Sequence, residues 1–222
     1  IISASVIVFW IYFPVVALFI FIFMSVIHFG LCDWSYLELG KYKWSISITH
    51  GLNIVFGIIF LHTSETFEIL AFLSNSSFIH LQNYLFIAYF FYFILLLRYS
   101  YLAFIVPRLR WGLLEMMIVL LIVFLTEPLV GFSIYFCFIH TFKHVKSILK
   151  DTSKHLSNNK FVSITTISFT LLTWIGGSLA IVYLYNNYSF EESFIKTLFI
   201  GLAALTLPHM TLVDVFYRRK FN

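Results

Sequence analysis

The chain has 222 residues, of which 61% are hydrophobic and only 11% are charged. A mean hydropathy of +0.95 excludes an ordinary soluble domain, in which about half of the residues are apolar, and indicates an integral membrane protein. The formal charge of +4 is small and scattered, which argues against a nucleic-acid partner.

Apolar runs close to the roughly 20 residues that a bilayer-crossing helix needs follow one another along the chain. The first, Ile1 to Phe13, predicts the end of a helix that begins before this sequence, and Pro14 suits the first turn of the next helix. We therefore expect an all-α, polytopic transmembrane helix bundle, a single integral membrane domain over residues 1–222 that lacks the N-terminal helix or helices of the full protein. Its seven full spans are predicted at Pro14 to Trp34, Trp44 to Leu61, Ile79 to Arg98, Gly112 to Thr126, Phe132 to Ser147, Phe161 to Tyr185 and Ser193 to Phe216.

Basic and acidic residues alternate between successive connections. The first, third and fifth connections and the C-terminal segment are basic, through Lys41, Lys43, Arg108, Arg110, Lys150, Lys154, Lys160, Arg218, Arg219 and Lys220. The connections between them contain no Lys or Arg and carry Glu65, Glu68, Glu127, Glu191 and Glu192. By the positive-inside rule the basic connections are cytoplasmic. We therefore predict a multi-pass protein of the cytoplasmic membrane with its C-terminus in the cytoplasm.

Five of the eight histidines share one predicted depth. At about 1.5 Å per residue, His28, His50 and His140 each lie roughly 9 Å inside the cytoplasmic boundary. His209 lies roughly 13 Å inside by the same rise, and His144 is shallower. His140 and His144 are four residues apart, so a helix places both on one face. Five imidazoles from four helices in one layer predict a metal site near the cytoplasmic side.

A structural role is the alternative for each histidine, because an intramembrane imidazole often only hydrogen-bonds to a neighbouring helix. We weigh the two roles equally for each of the five. For His62 and His80, which fall toward the opposite face, and His155, in a basic loop, we favour the structural role.

The chemistry of nitrogen ligation narrows the choice of metal. Imidazole suits iron, copper, zinc and nickel, and the lack of clustered Cys argues against an iron–sulfur site. Iron(II) and copper are the candidates for oxygen chemistry. Asp33 follows His28 by five residues and Asp214 follows His209 by five. Each carboxylate is a candidate to orient a ligating imidazole, or else to reach the interface, because five residues turn a helix by about 140° beyond one full turn.

Four stretches carry a resemblance over essentially the whole chain. SVIHFGLCDW, THGLNIVFG, YFCFIHTFKHVKSI and GLAALTLPHMTLVDVFYRR, in this order and at these intervals, resemble the Brp/Blh family of bacterial and archaeal membrane enzymes. The resemblance implies oxidative cleavage of the central double bond of β-carotene with O2, giving two molecules of all-trans-retinal as chromophore for a microbial rhodopsin. It also implies a non-haem Fe2+ cofactor.

The resemblance assigns the iron ligands to His28, His140 and His144. His50 and His209 match other recurring histidines of the family. A further family ligand lies in an N-terminal P-H-G motif that this sequence lacks, so the fourth histidine lies upstream of Ile1 or is replaced by His50 or His209. We favour the upstream position.

An apolar polyene would reach such a site from the bilayer through a tunnel between helices, and aromatic side chains would pack against it. Candidate wall residues are Phe29, Tyr135, Phe138 and Trp174.

Three rival functions use the same histidine layer. A membrane electron carrier would ligate haem b with histidine pairs. A metal-ion transporter would need an acidic path, for which Glu115 and Glu127 are the only deep candidates. A di-iron desaturase or hydroxylase would need several histidine boxes, whereas this chain has one. We expect the oxygenase.

Overall fold

The computed structural model describes residues 2–33, 40–77, 84–143, 145–146 and 159–210. These described residues form helices joined by short turns and contain no strand, which confirms the predicted all-α class. The α-helices are α1 (Ile2–Tyr12), α2 (Pro14–Asp33), α3 (Lys43–Leu61), α4 (Thr63–Ser74), α5 (Leu85–Ile105), α6 (Arg110–Leu125), α7 (Pro128–Ile134), α8 (Asn159–Leu184) and α9 (Phe190–Met210). A π-helical turn, Tyr135–His140, continues α7.

Five of the described helices are long and apolar enough to cross a bilayer: α2, α3, α5, the Ile167–Leu184 part of α8, and α9. Large hydrophobic side chains lie on their outer surfaces, and the Ile167–Leu184 stretch has no buried residue. An apolar outer surface of this kind is stable in contact with the hydrocarbon chains of a bilayer. The two other predicted spans correspond to shorter helices, because α6 has 16 residues and α7 has 7 before the π-helical turn. The count of seven full spans stays a prediction.

Helix α5 differs from the sequence prediction in its C-terminal end. It ends at Ile105, seven residues beyond the predicted end at Arg98, because the long side chain of Arg98 is exposed on the helix surface and does not interrupt the backbone. Pro107 ends the helix instead, since the residue before a proline disfavours helical backbone and Val106 is extended there.

Helix α4 lies where the sequence predicted only an acidic connection. It carries Glu65 in its first turn, where the positive end of the helix dipole stabilises a carboxylate. Asn75 follows its last residue, Ser74, and caps the helix. The backbone of Asn75 is left-handed with φ of 51°, a conformation that asparagine tolerates better than most residues.

The chain forms two compact units. One comprises residues 1–18 and 152–222, in which α9 packs against both α1 and α8. The other comprises residues 19–151, in which α3 is the central helix and packs against α5, α6 and α7. All residues of the candidate site described below, except His209, belong to the second unit.

Two glycines allow α2 and α3 to cross with their backbones in contact. A Cβ atom on Gly51 would lie 1.8 Å from the carbonyl oxygen of Val26, and one on Gly30 would lie 2.0 Å from that of Ser47. Small residues permit such close approach between membrane helices. The crossing brings the C-terminal end of α2, with His28 and Asp33, against the His50 region of α3.

We expect Gly51→Ala to destabilise the protein by about 2 kcal/mol or more, because its methyl group would collide with backbone and the two helices would have to separate. Thermal unfolding in detergent measures this loss. Gly177→Ala is the matched control, since a Cβ there meets no atom within 4 Å. Equal melting temperatures for the two variants would contradict the close crossing.

Candidate metal centre

A buried carboxylate, Asp33, lies at the centre of the histidine cluster. It is fully buried and ends α2. His140 donates from Nδ1 to its Oδ1 at 2.8 Å, and His50 donates from Nε2 to its Oδ2 at 3.0 Å. The Tyr135 hydroxyl donates to the same Oδ2 at 2.7 Å. Three donors therefore satisfy the carboxylate, as burial of a charged group requires.

The rings of His28 and His140 lie side by side with centroids 5.2 Å apart and planes at 66°. A metal ion bound to one nitrogen of each ring at about 2.1 Å would hold the two centroids roughly 5 Å apart. Nδ1 of His140 is engaged by Asp33, and Nδ1 of His28 lies 3.5 Å from the Cys32 sulfur. Nε2 is thus the ring nitrogen of each histidine that can serve a metal.

Aromatic rings fix the orientation of His140. Phe29 packs edge-on against the imidazole with centroids 4.7 Å apart, and Phe136 stacks on it at 5.7 Å. These rings and the hydrogen bond to Asp33 hold the imidazole in a position that is 4% exposed.

The π-helical turn explains how Tyr135 and His140 reach the same carboxylate. Residues five apart on an α-helix point about 140° away from each other. The wider turn of a π-helix, with its hydrogen bonds between residues five apart, brings their directions much closer together. Thr141 stabilises the wider turn, since both its backbone N–H and its hydroxyl donate to the carbonyl oxygen of Phe136. Such turns occur often at functional sites.

A second group of potential ligands overlaps the first. Asp33, His50 and Glu115 each place one donor atom within 4.8 Å of the other two. Glu115 also forms an ion pair with Lys143, and both side chains are mostly buried. Because Asp33 accepts three hydrogen bonds and Glu115 is paired with a cation, this group is also a hydrogen-bonded ionic network.

The donor set fits iron as the resemblance implies. Two neighbouring imidazoles are ligands of a kind that iron accepts. The carboxylate of Asp33, hydrogen-bonded to His140, stands where a carboxylate would orient a ligating imidazole.

Residues 1–217 match the family described as Beta-carotene 15,15'-dioxygenase. The chain belongs to the β-carotene 15,15'-dioxygenase family. A protein named Beta-carotene 15,15'-dioxygenase from the uncultured marine bacterium 66A03 is 29% identical over 209 residues, which are 94% of this chain and 75% of that relative. No solved structure matches the chain. This match confirms the resemblance that the four sequence stretches indicated. It also confirms that the chain belongs to a family of carotenoid-cleaving oxygenases.

The structure brings together four of the seven histidine and aspartate positions that the sequence selected for a dioxygenase site: His28, Asp33, His50 and His140. His144 and Asp214 lie outside the described residues. His209 is half-buried in the last turn of α9, in the unit of residues 1–18 and 152–222, and its place in the ligand set stays a prediction.

Three residues around the site of this dioxygenase were not assigned to it from the sequence. Tyr135 was considered only as a wall residue and Glu115 only as part of a transport path, and Lys143 was not considered for the site. Tyr135 would have required knowledge of the π-helical turn. The proposed wall residues Phe138 and Trp174 are 75% and 72% exposed, because helix rotation could not be fixed from an evenly apolar sequence.

Proposed function

We propose that the chain cleaves the central 15,15' double bond of β-carotene with O2 to give two molecules of all-trans-retinal. One observation best supports a metal-dependent reaction. The imidazoles of His28 and His140 lie side by side, and Asp33 accepts a hydrogen bond from His140. Family membership supports the substrate and the bond that is cleaved. The retinal formed would supply the chromophore of a microbial rhodopsin.

We assign the metal ligands to His28, His140 and His144, with His50 and His209 as the candidates for a further ligand. Non-haem iron(II), when bound there, makes O2 reactive toward a carbon–carbon double bond. The protein's contribution is to hold ring nitrogens in fixed positions and to leave room beside the metal for O2 and the polyene.

Asp33 controls the proton on His140. By accepting the hydrogen bond from Nδ1, it keeps the proton on that nitrogen and leaves the Nε2 lone pair for the metal. His50 and Tyr135 hold the carboxylate in turn, so it cannot rotate away from His140. These residues act through the ligand and position it.

The surroundings of the site exclude water. Phe29, Tyr135 and Phe136 surround His140 with apolar surface. A hydrocarbon substrate offers no group for a charged side chain, so its binding depends on burial of apolar area and on ring packing. Each half of the cleaved double bond takes one oxygen atom, and the oxidant O2 is thereby consumed completely.

Expression of the whole protein in a β-carotene-accumulating bacterium tests this function. We expect retinal in the cells and cleavage by the isolated membrane fraction, with one labelled oxygen atom in each retinal when the gas is labelled O2. Chelation should abolish cleavage, and added Fe2+, but not Zn2+, should restore it. Cleavage that survives chelation unchanged would refute the metal assignment, and absence of retinal from cells that contain the protein would refute the function.

A further inference from the structure

Two carboxylates and one imidazole lie close together beside the proposed iron ligands. Asp33, His50 and Glu115 each offer one donor atom, and these three atoms lie within 4.8 Å of one another. They come from three helices, since Asp33 ends α2, His50 lies in α3 and Glu115 lies in α6. Asp33 and His50 are fully buried, and the Glu115 side chain is only 20% exposed.

A group of this composition requires a cation. Two carboxylates so close together repel each other where little water is present, and a buried charge without compensation is unfavourable. Carboxylate and imidazole are also ligands that zinc and non-haem iron accept. The chemistry of the three donors therefore fits a divalent metal ion.

The chain places a cation of its own at this group. The Lys143 ammonium forms an ion pair with Glu115, and the Lys143 side chain is 22% exposed. Lys143 follows His140 by three residues, about one helical turn, so the segment that carries a proposed iron ligand also carries this ammonium. While the ammonium is bound to Glu115, that carboxylate is not available to a metal ion.

We propose that Asp33, His50 and Glu115 form a second divalent-metal site, which the Lys143 ammonium keeps closed. The ammonium takes the place of the ion, so the metal centre holds one ion rather than two. A second ion would compete with the hydrogen-bond donors of Asp33, among them Nδ1 of His140. Lys143 thus determines how many metal ions bind. The benefit to iron rests on the proposed function, whereas the binding of a further ion does not.

Counting metal ions in Lys143→Met tests the proposal, because methionine is similar in length to lysine and carries no charge. The whole protein is purified in detergent, stripped with a chelator and dialysed against Zn2+, and zinc is measured per chain. We expect Lys143→Met to bind one zinc ion more than the wild type. Lys143→Arg, which keeps the cation, should bind as many as the wild type. Equal numbers in Lys143→Met and the wild type would overturn the proposal and indicate that Glu115 takes up a proton instead.

Two further variants locate the added ion. Glu115→Gln in the Lys143→Met protein removes one of the three ligands and should return the number of bound ions to that of the wild type. Lys196→Met is the matched control, because Lys196 is 7% exposed and its ammonium lies 4.8 Å from the centroid of the Tyr188 ring, in the other unit of the chain. It should bind as many ions as the wild type. An added ion in Lys196→Met, or one that persists without the Glu115 carboxylate, would contradict the assigned ligands.

Thermal unfolding gives a second readout if Lys143→Met is unstable without metal. An ion that binds only the folded chain stabilises it. Zn2+ should therefore raise the melting temperature of Lys143→Met by more than that of the wild type, or restore the folded protein when it is present throughout purification. The extra stabilisation should disappear when Glu115→Gln is added. A Lys143→Met protein that Zn2+ does not stabilise beyond the wild type would also overturn the proposal.

These measurements separate the second site from the proposed function. Retinal formation tests the function, and the difference of one ion between Lys143→Met and the wild type tests the second site. An added ion in a protein whose wild type forms no retinal would support the site and refute the function. Retinal from the wild type without an added ion in Lys143→Met would do the reverse.

Discussion

His140→Ala should lower retinal formation by at least about 100-fold and should also remove most of the bound iron. A loss of about 10-fold to 100-fold is usual when only a residue that hydrogen-bonds to a metal ligand is changed. We expect a larger loss here, because the substitution removes the proposed ligand itself as well as the partner of Asp33. The iron content of the purified protein, measured per chain, checks binding independently of activity. His28→Ala should behave in the same way, since its ring is the neighbour of His140 at 5.2 Å.

His62→Gln is the control for these substitutions. His62 donates from Nε2 to the carbonyl oxygen of Val123 at 2.8 Å, and glutamine keeps a donor for that bond. We expect its iron content and retinal formation to match the wild type. If His140→Ala and His28→Ala also retained full iron, the paired rings would be a packing feature and the metal would have to be held elsewhere.

The proximity of His28 and His140 could be predicted from the sequence, and the hydrogen-bond partners of the histidines could not. Counting residues from the charged ends of apolar runs puts His28 and His140 in one layer, and the structure places their rings side by side. The same counting assigned His50 to the ligand layer, whereas its Nε2 faces Asp33. Depth is a one-dimensional quantity that charge and spacing determine, but the direction of a side chain depends on helix rotation and crossing. These helices are apolar on all sides, so their sequences do not determine helix rotation or crossing.

Asp33 illustrates the same limit at a single residue. The sequence left two readings open, because a position five after His28 points away from it on an ideal helix. The structure supports the reading in which Asp33 orients an imidazole, but the imidazole is that of His140, 107 residues away. The contact depends on the glycine-mediated crossing of α2 and α3 and on the π-helical turn at Tyr135–His140. Neither feature has a local sequence signal strong enough to be recognised alone.

Asp33→Asn is the second substitution with a large expected effect. The carboxylate accepts from three donors, whereas an amide offers one oxygen and an NH2 group that must face one of those donors. If His140 turned its lone pair toward the amide, its proton would move to Nε2 and that nitrogen would no longer bind a metal. We expect iron affinity and retinal formation to fall by about 10-fold to 100-fold, while Tyr135→Phe, which leaves both imidazole contacts in place, should cost less.

Tyr99→Phe provides the matched control for the loss of a buried phenol. Its hydroxyl donates to the carbonyl oxygen of Leu109 at 3.2 Å in the core formed with Ile46 and Met116, and it does not contact Asp33. Tyr99→Phe and Tyr135→Phe should lower the melting temperature by similar amounts, because each removes one buried hydrogen bond. Only Tyr135→Phe should weaken iron binding, since only its hydroxyl holds the carboxylate against His140. The proposal would be contradicted if Tyr99→Phe, Tyr135→Phe and Asp33→Asn all bound iron as tightly as the wild type does. The carboxylate would then stabilise the fold without orienting the ligand.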